Sequence, residues 1–405
     1  MRNIQRTAFN AKHSTHNIQP FSPYVCNYMK LTDLLTNAGN ILFISFCIIS
    51  LIQLFYYFFF FTRLAFYKKK DRNITQTHPV SVIICARDEA ENLVRNLPGA
   101  LVQKYSTTHE IIVVNDNSFD ESKYILQELN KEFKQMKLVE LTQEAQFIPG
   151  KKYPLSVGIK TAKHEIVLLT DADCVPASEF WIDKMQGGYH DDIEIVLGYG
   201  PLKKRKGFFN KIVRWETFHT ALQYLSYAQS GLTYMGVGRN LSYKKSIFFR
   251  NKGFSAHNHV PGGDDDLFIN KVATKKNTAI VIDPDSFTLS EPATSWKQWV
   301  RQKSRHYTTS KYYKGLHKFL LGLYAFSQFI YYPLFVFTLI YFDWRWVLGV
   351  FAIRFISQLV IFYKTTRKLN EKDLFPWFLF FDVSMFFYYI FFAGTLVKKP
   401  KRQWK

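Results

Sequence analysis

The sequence predicts an α/β fold, with a mostly parallel sheet joined to membrane-spanning helices near both ends of the chain. Between residues 76 and 312, short apolar runs alternate with helical patterns, as in sheets whose parallel strands are covered by helices on both faces. Acidic residues follow the ends of three of these runs, where open α/β sheets bind their ligands. Long apolar segments flank this region, and the 405 residues leave room for a soluble domain together with membrane helices.

The first apolar segment, residues 41–61, contains no charged residue and is long enough to cross the hydrocarbon core of a bilayer. It does not begin at the N-terminus and has no small-residue cleavage site after it, so we interpret it as an anchor rather than a signal peptide. Residues 38–66 are therefore predicted to form a transmembrane anchor. Residues 1–37 are a separate N-terminal segment, with Met29 as an alternative initiator.

Five apolar runs in the middle of the chain are predicted to be buried strands: residues 80–85, 111–114, 166–169, 193–197 and 279–282. Acidic residues follow the first three, namely Glu89, Asp116, and the pair Asp171 and Asp173. Carboxyl ends of parallel strands meet at one sheet edge, so these carboxylates are expected to share a polar cleft. Two carboxylates at a strand end suit Mg²⁺ or Mn²⁺ holding a diphosphate, although isolated D-x-D pairs also occur on solvated turns.

Three more candidate membrane spans lie in the C-terminal region, residues 313–405. They are residues 319–342, residues 346–363 with the polar Arg354 and Gln358, and residues 374–397 with Asp382. The alternative is a set of buried core helices, which length and aromatic density disfavour most strongly for residues 41–61 and 319–342. We therefore expect two or three C-terminal spans, followed by a basic tail.

The net charge of +21 permits either nucleic-acid or membrane binding. Much of the Lys and Arg lies beside the apolar segments, at residues 68–70, 311–318, 364–372 and 398–405, and no zinc-finger or RNA-recognition pattern is present. This placement favours a membrane protein with residues 67–312 in the cytoplasm and excludes nucleic acid as a partner. Four complete spans would put the basic tail outside, so either residues 346–363 do not fully cross or the tail is an exception.

Several runs, taken together, resemble the family 2 glycosyltransferases. Residues 80–93, V-S-V-I-I-C-A-R-D-E-A-E-N-L, resemble the family's opening strand, and residues 110–118, E-I-I-V-V-N-D-N-S, are similar to its second strand. Gly150-Lys151 resembles the start of its G-K-x-x-A-L-x-x-G motif, and Asp171-Ala172-Asp173 matches its metal motif. Each run alone is weak evidence for the resemblance, but the order and spacing of the runs agree with those of the family over most of the middle region. Cys85 in place of proline is one departure.

This resemblance implies the GT-A nucleotide-sugar fold. In that fold Glu89 and Asp116 would bind the base and ribose of the donor, because carboxylates accept hydrogen bonds from uracil N–H and ribose hydroxyls. Lys151 would lie near the nucleotide phosphates, with an ordinary surface lysine as an equally weighted alternative. Asp171 and Asp173 would hold Mg²⁺ or Mn²⁺, with Asp171 also contacting substrate.

Residues 262–267, G-G-D-D-D-L, resemble the family's base motif, G-E-D-x-D-L. An acceptor hydroxyl must lose its proton as it attacks the sugar, and a positioned carboxylate can take that proton. Asp264 is the base if Gly263 replaces the usual Glu, and Asp265 is the base if the motif is shifted by one residue. The acidic residues also suit a helix N-terminus, and both interpretations can hold together.

Two further segments resemble substrate-binding motifs of the family. Gln302 and Arg305 match Q-[QR]-x-x-R-W of membrane-bound polysaccharide synthases, whereas His306 departs from it. Arg305 would stabilise the leaving diphosphate, and the alternative is a basic helix at the membrane interface. Asn240 belongs to a G-x-N pattern that is similar to the acceptor side of the family site.

These features predict an inverting, metal-dependent glycosyltransferase at the cytoplasmic face of the cell membrane. It would move a sugar from a nucleotide diphosphate sugar, with UDP as the expected nucleotide, to a lipid-linked or glycan acceptor. A processive polysaccharide synthase of the same fold is the alternative within the family. A nucleotide-transferring enzyme of related fold and a non-enzymatic membrane scaffold or transporter component are the alternatives outside it.

Overall fold

The computed structural model describes residues 23–68, 77–142, 148 and 150–394. The predicted N-terminal segment before residue 23 and the basic tail at residues 398–405 lie outside these residues. The chain begins with helix α1, Pro23–Phe55, which continues through a π-helical stretch, Tyr56–Phe61, into the short helix α2, Thr62–Ala65. The predicted anchor falls within this continuous helix.

A seven-stranded mixed sheet forms the centre of the domain, in the order β3-β2-β1-β4-β7-β6-β8. Only β7 runs antiparallel to its neighbours β4 and β6. A second sheet pairs β5 with β9. The strands are β1 Val80–Ala86, β2 His109–Asp116, β3 Met136–Leu141, β4 Ile166–Asp171, β5 Cys174–Pro176, β6 Ile195–Leu197, β7 Leu241–Lys244, β8 Thr278–Ile280 and β9 Thr288–Ser290.

All five predicted runs coincide with strands, in a sheet that is mostly parallel as expected. Every residue of β1 is buried. Because successive side chains of a strand point to opposite faces of the sheet, both faces of the sheet must be covered at β1. Ile83 and Cys85 face a core formed with α5 (Lys152–Thr161) and α7 (Phe208–Gln229). Val82 and Ile84 face a core formed with α3 (Ala90–Leu101) and α6 (Trp181–Gln186). Strands β3, β5, β7 and β9 were not predicted. Strand β3 is partly exposed, β7 is short and partly polar, and β5 and β9 have only three residues each.

The domain helices cover these two faces. They are α3 Ala90–Leu101, α4 Ser122–Glu132, α5 Lys152–Thr161, α6 Trp181–Gln186, α7 Phe208–Gln229, α8 Lys245–Arg250, α9 Asp266–Val272 and α10 Trp296–Tyr307.

Four helical segments of the described chain are long and apolar enough to cross a membrane. The first is Thr36–Ala65. The others are α11, Gly315–Tyr341; α12, Trp344–Lys368; and a segment, Lys372–Phe392, that contains α13, Phe378–Ala393. These segments contain the first and third predicted spans entirely. The second predicted span extends one residue past α11, and the fourth extends past Phe392, with residues 395–397 outside the described part of the chain.

Helix α13 contacts the soluble domain near both of its ends. Near its start, Phe381 stacks on Trp215 of α7, with ring centroids 4.8 Å apart. At its other end, Phe392 meets Trp299 of α10 edge-to-face at 5.5 Å. Between these contacts, Asp382 accepts hydrogen bonds of 2.5 and 3.1 Å from Arg354 of α12. Helix α13 therefore lies along the face of the soluble domain that meets the apolar helices.

Candidate active site

A cavity of about 1110 Å³ opens at the carboxyl ends of β1 and β4 and extends to α11 and α13. The structure brings most of the predicted site residues together along its wall: Glu89, Lys151, Asp171, Asp173, Asp264, Asp265, Gln302 and Arg305. These residues come from segments far apart in the sequence, so their convergence is a product of the fold.

Lys151 precedes α5 and forms an ion pair with Asp171, the last residue of β4. Gly150 makes this placement feasible, because its φ of +80° is one that side chains rarely adopt. A Cβ on Gly150 would also lie 2.3 Å from the Pro261 carbonyl oxygen. The loop carrying Lys151 is thus packed directly against the segment that leads to Asp264.

Asp171, Asp173 and Cys174 offer ligand atoms that all lie within 4.8 Å of one another. The Cys174 thiol donates to Asp173 at 3.2 Å. Removal from water raises the pKa of Asp173, and the nearby Asp171 charge raises it further. Burial acts in the same direction on Asp171, but the Lys151 charge outweighs it, so the pKa of Asp171 is lowered. Two carboxylates are a suitable hard-oxygen donor set for Mg²⁺ or Mn²⁺, whereas a thiol is not.

The three consecutive aspartates before and in α9 differ sharply in their contacts. Asp265 accepts hydrogen bonds from the backbone N–H groups of Gly238, at 2.8 Å, and Asp266, at 2.7 Å, and thereby caps α9. Asp266 accepts from the Thr309 hydroxyl at 2.5 Å and the Tyr313 hydroxyl at 2.8 Å. The Asp264 carboxylate lines the cavity and accepts no hydrogen bond from any described residue.

The electrostatics of this acidic run follow from its burial. Burial raises the pKa of Asp265 to about 8, and the charges of Asp264 and Asp266 add to the effect. The buried Lys152 lies nearby and donates to the carbonyl oxygens of His257, at 2.5 Å, and Val260, at 2.7 Å. Burial lowers the pKa of Lys152 to about 8, although the three aspartate charges oppose this.

Helix α10 carries the Q-x-x-R segment to the cavity. Ser295 caps it by accepting from the Gln298 backbone N–H at 3.3 Å. Trp299 is buried, as expected for an amphipathic helix, and Lys303 forms an ion pair with Glu216 of α7. This anchorage leaves Gln302 and Arg305 on the cavity wall, where the positive charge of Arg305 helps to lower the pKa of Asp171.

The sequence analysis did not identify Arg239, Lys152 or the pair of Lys303 with Glu216 as parts of the site. Arg239 lines the cavity and donates to the Ser290 hydroxyl at 3.1 Å. Its charge helps Lys151 to lower the pKa of Asp171 and opposes the burial that raises the pKa of Asp173. Its position inside the G-x-N pattern was the only available signal. Nothing in the sequence distinguishes Lys152 and Lys303 from the many other lysines.

Two predicted substrate-binding residues do not line the cavity. Asn240 is completely buried. Its amide group accepts from the Trp181 indole N–H and donates to the carbonyls of Tyr199 and Ser286, all within 3.0 Å. This contradicts the expected substrate contact, because these internal bonds engage both ends of the amide. Asp116 ends β2 as expected, but it is buried and lies 3.8 Å from the Arg87 guanidinium, outside the cavity wall.

A mixed α/β sheet with carboxylates at the ends of β1 and β4, beside a third acidic loop, is the arrangement of the GT-A fold. Residues 81–249 match the model of glycosyl transferase family 2. The chain therefore carries a family 2 glycosyltransferase domain.

Similar proteins agree with this assignment. The chain is 25% identical over 367 residues to the probable glycosyltransferase YdaM of Bacillus subtilis, a match that covers 86% of this chain and 84% of that protein. It is 26% identical over 161 residues to the poly-beta-1,6-N-acetyl-D-glucosamine synthase of Staphylococcus aureus, which covers 40% of this chain and only 38% of the synthase.

A solved structure has the same fold. The mannosyltransferase PcManGT from Pyrobaculum calidifontis, determined with GDP-Man and Mn²⁺, superposes with a TM-score of 0.53 at 16% sequence identity. The superposition covers 88% of this chain and 99% of that protein.

Proposed function

We propose that this protein is a membrane-anchored, metal-dependent inverting glycosyltransferase that uses a nucleotide diphosphate sugar, with UDP as the expected nucleotide. The observation that carries the proposal is the single cavity that joins Asp171 and Asp173 to Asp264 and Arg305. A membrane scaffold would have no use for carboxylates and cations converging on one cavity at a sheet edge.

Asp171 and Asp173 would hold the Mg²⁺ or Mn²⁺ ion, with the remaining ligands supplied by the donor diphosphate. The bound ion would neutralise charge on that diphosphate. Lys151, Arg239 and Arg305 supply further positive charge on the same wall. Guanidinium groups suit this role because they bind phosphate oxygens through two parallel hydrogen bonds. Glu89, on the cavity wall, is the first candidate for contacts with the base and ribose. Asp116 ends the neighbouring strand but lies outside that wall, so its role in these contacts stays a prediction.

Asp264 is the preferred general base. Both oxygens of Asp265 already accept backbone N–H groups, whereas the carboxylate of Asp264 faces the cavity without such a partner among the described residues. As the acceptor hydroxyl oxygen bonds to the anomeric carbon, the bond from that carbon to the diphosphate breaks. The hydroxyl proton passes to Asp264, and the nucleoside diphosphate leaves with the bonding electron pair.

The contacts of α13 support three complete membrane crossings, by the first helix, α11 and α12. Helix α11 begins beside the soluble domain, and the residues after α12 return to it, since Arg214 of α7 pairs with Glu371 and Asp373. Helix α13 contacts the domain near both ends and would lie in the interface without crossing. With the domain in the cytoplasm, the basic tail would then also be cytoplasmic, which agrees with the distribution of positive charge.

A processive polysaccharide synthase is the second candidate, favoured by the poly-beta-1,6-N-acetyl-D-glucosamine synthases among the relatives. The two candidates differ in product length. Chromatography of the products from a radiolabelled donor would distinguish them, since single transfer yields a fixed increment and processive transfer yields a long polymer.

The direct test is a donor screen on membranes that contain the full chain, with nucleoside diphosphate release as the readout. We expect release from one class of nucleotide sugar in the presence of Mn²⁺ or Mg²⁺ and background release in excess chelator. Equal release with and without metal would remove the metal from the proposal. Absence of release from every nucleotide sugar, with UDP and GDP binding also absent, would remove the enzymatic function.

A further inference from the structure

The cavity has a second, apolar part that the transfer chemistry does not use. Beyond the carboxylates it continues between α11 and α13, where its wall carries Gly322, Ala325, Phe326, Phe329, Met385 and Ile390. We call this part the α11–α13 cleft. Its wall bears aliphatic and phenyl groups, which suit a hydrocarbon chain better than a hydroxylated sugar.

The α11–α13 cleft is bordered by residues that are exposed on the apolar helices. Phe326 is 54% exposed and Ile390 is 50% exposed, and each also lines the cavity. Both belong to segments apolar enough to lie in a membrane. A molecule dissolved in the bilayer could therefore enter the cleft sideways, between the two helices, without passing through water.

Positive charge lines the connection between the two parts of the cavity. Lys303 and Arg305 lie on α10, Lys311 lies in the turn after it, and Lys318 lies one turn before Gly322 on α11. Lys311 lies just before α11 and Lys318 lies in the first turn of α11, at the start of an apolar helix. Cations at this position match a phosphate carried at the head of a membrane lipid.

The wall of the cleft is fixed by a buried polar network. Arg354 donates to Gln53 of α1 at 2.7 Å, to Gln358 at 2.7 Å, and twice to Asp382 of α13. Asp382 precedes Met385 by one helical turn, so the network holds the lining residues of α13 in place. The cleft is therefore a preformed feature of the helix packing.

We propose that the α11–α13 cleft binds the hydrocarbon chain of a phosphate-bearing lipid whose hydroxylated head group is the sugar acceptor. This inference rests on the proposed function and specifies its acceptor class. The lipid phosphate lies between Lys311 and Lys318, and the head-group hydroxyl reaches Asp264. The cavity exceeds the roughly 300–1,000 Å³ that is typical for one small ligand, which is consistent with donor and lipid binding together.

Photo-crosslinking of the full chain in phosphatidylcholine nanodiscs tests this inference. The probe is a phosphatidylglycerol analogue with a diazirine on its acyl chain, and a diazirine-bearing diacylglycerol serves as the phosphate-free comparison. Crosslinked peptides should come mainly from the cleft faces of α11 and α13. Lys318→Gln should lower crosslinking of the phosphatidylglycerol probe about fivefold, as for one lysine near a charged surface, and should leave the diacylglycerol probe unchanged.

Two glycines provide a matched pair of variants. Gly322 and Gly349 both lie in apolar helices, and a Cβ added at either would meet nothing within 4 Å. Only Gly322 lines the cavity. Gly322→Trp should fill the cleft and abolish the specific crosslinks, whereas Gly349→Trp should retain them.

Crosslinks spread evenly over all four apolar segments, or unaffected by Gly322→Trp, would overturn the inference. Loss of the crosslinks on addition of an N-acetylglucosamine oligosaccharide, without any effect of Lys318→Gln, would overturn it in favour of a glycan acceptor. Binding of UDP or GDP with Mn²⁺ to the wild-type protein is measured separately. The proposed function can therefore stand when the lipid inference fails, and its own failure is seen in the nucleotide measurement.

Discussion

Lys151 forms an ion pair with Asp171, so a lysine engages the first carboxylate of the D-A-D motif. The second carboxylate, Asp173, contacts the Cys174 thiol instead and is exposed to the cavity. The two aspartates are therefore unequal. Asp171 holds a cation of the protein beside the expected diphosphate position, and Asp173 is the carboxylate more available to a metal ion.

This inequality predicts that Asp173→Ala weakens metal binding and abolishes transfer. Loss of one of two protein carboxylates should weaken Mn²⁺ binding, because hard cations depend on charged oxygen ligands. Manganese binding is followed by electron paramagnetic resonance, and transfer is followed by nucleotide release. Asp191→Asn, at an exposed position outside the cavity wall, is the control, because asparagine tolerates the positive φ of 45° at this residue. Wild-type turnover of Asp173→Ala in the presence of Mn²⁺ would contradict the metal assignment.

The Lys151 ion pair predicts a defect in donor affinity. Lys151→Met removes the charge that lowers the pKa of Asp171 and that would contact the diphosphate. A charge-assisted hydrogen bond contributes about 1.5–3 kcal/mol, so donor affinity should fall roughly 10- to 100-fold. Titration of the donor nucleotide measures the effect, with Lys160→Met on the exposed side of α5 as the control. An unchanged affinity would make Lys151 a structural residue only.

The sequence predicts the strands and their acidic ends well, because both signals are local. A run such as residues 166–169 is apolar throughout since the strand is buried on both faces, and a turn must follow it. The helical segments after residue 314 are recognisable for the same reason, since their length and composition are properties of a continuous stretch.

The parts of the site that escaped prediction depend on packing between distant segments. Glu216 and Lys303 are far apart in the sequence, and nothing local to either residue predicts their ion pair, which forms only because α7 and α10 are in contact. The G-x-N pattern suggested Asn240 as the functional residue, whereas the fold buries Asn240 and brings Arg239 to the cavity. The sequence also left undecided whether Asp264 or Asp265 is the base, because only their contacts with the backbone distinguish the two residues.

The pair of Arg354 and Asp382 predicts a large stability effect. Arg354→Ala should lower the free energy of unfolding by about 3–5 kcal/mol, because Asp382 would remain buried without its partner. The double variant Arg354→Met, Asp382→Leu should recover most of this loss. Thermal denaturation in detergent measures both variants. If the double variant is no more stable than Arg354→Ala alone, the pair is not the origin of the effect.

The position of α13 predicts which residues are accessible to a reagent added outside the cell. A cysteine at Tyr341, at the end of α11, should react with a membrane-impermeant maleimide in intact cells. A cysteine at Gly394, just after α13, should react only after the membrane is opened. Both substitutions are made in a Cys26→Ser, Cys47→Ser chain, whose remaining Cys85 and Cys174 are buried and which gives the background. Labelling of Gly394→Cys in intact cells would mean that α13 crosses the membrane.

The last prediction concerns the general base. Asp264→Asn should reduce turnover by about 10²- to 10⁴-fold, because asparagine has nearly the same shape as aspartate but cannot accept the proton. Donor affinity should change little, since the metal carboxylates are elsewhere. Asp265→Asn should instead lose one buried backbone hydrogen bond, with about 1–3 kcal/mol of stability, and keep substantial turnover.

The pH profile separates the two aspartates independently of the variants. The pKa of Asp265 is raised to about 8, so Asp265 is largely protonated at neutral pH. If Asp265 were the base, turnover would rise with pH until it levelled off above about 8. With Asp264 as the base, turnover should not follow the charge of Asp265, whereas donor affinity should fall as Asp265 gains its charge. The raised pKa also stabilises the fold most at low pH, and this contribution is lost as pH rises through about 8. The melting temperature of the wild-type protein should therefore fall as pH rises towards 8, and this fall should be absent in Asp265→Asn. A turnover that follows the charge of Asp265 would show that Asp265, and not Asp264, is the base.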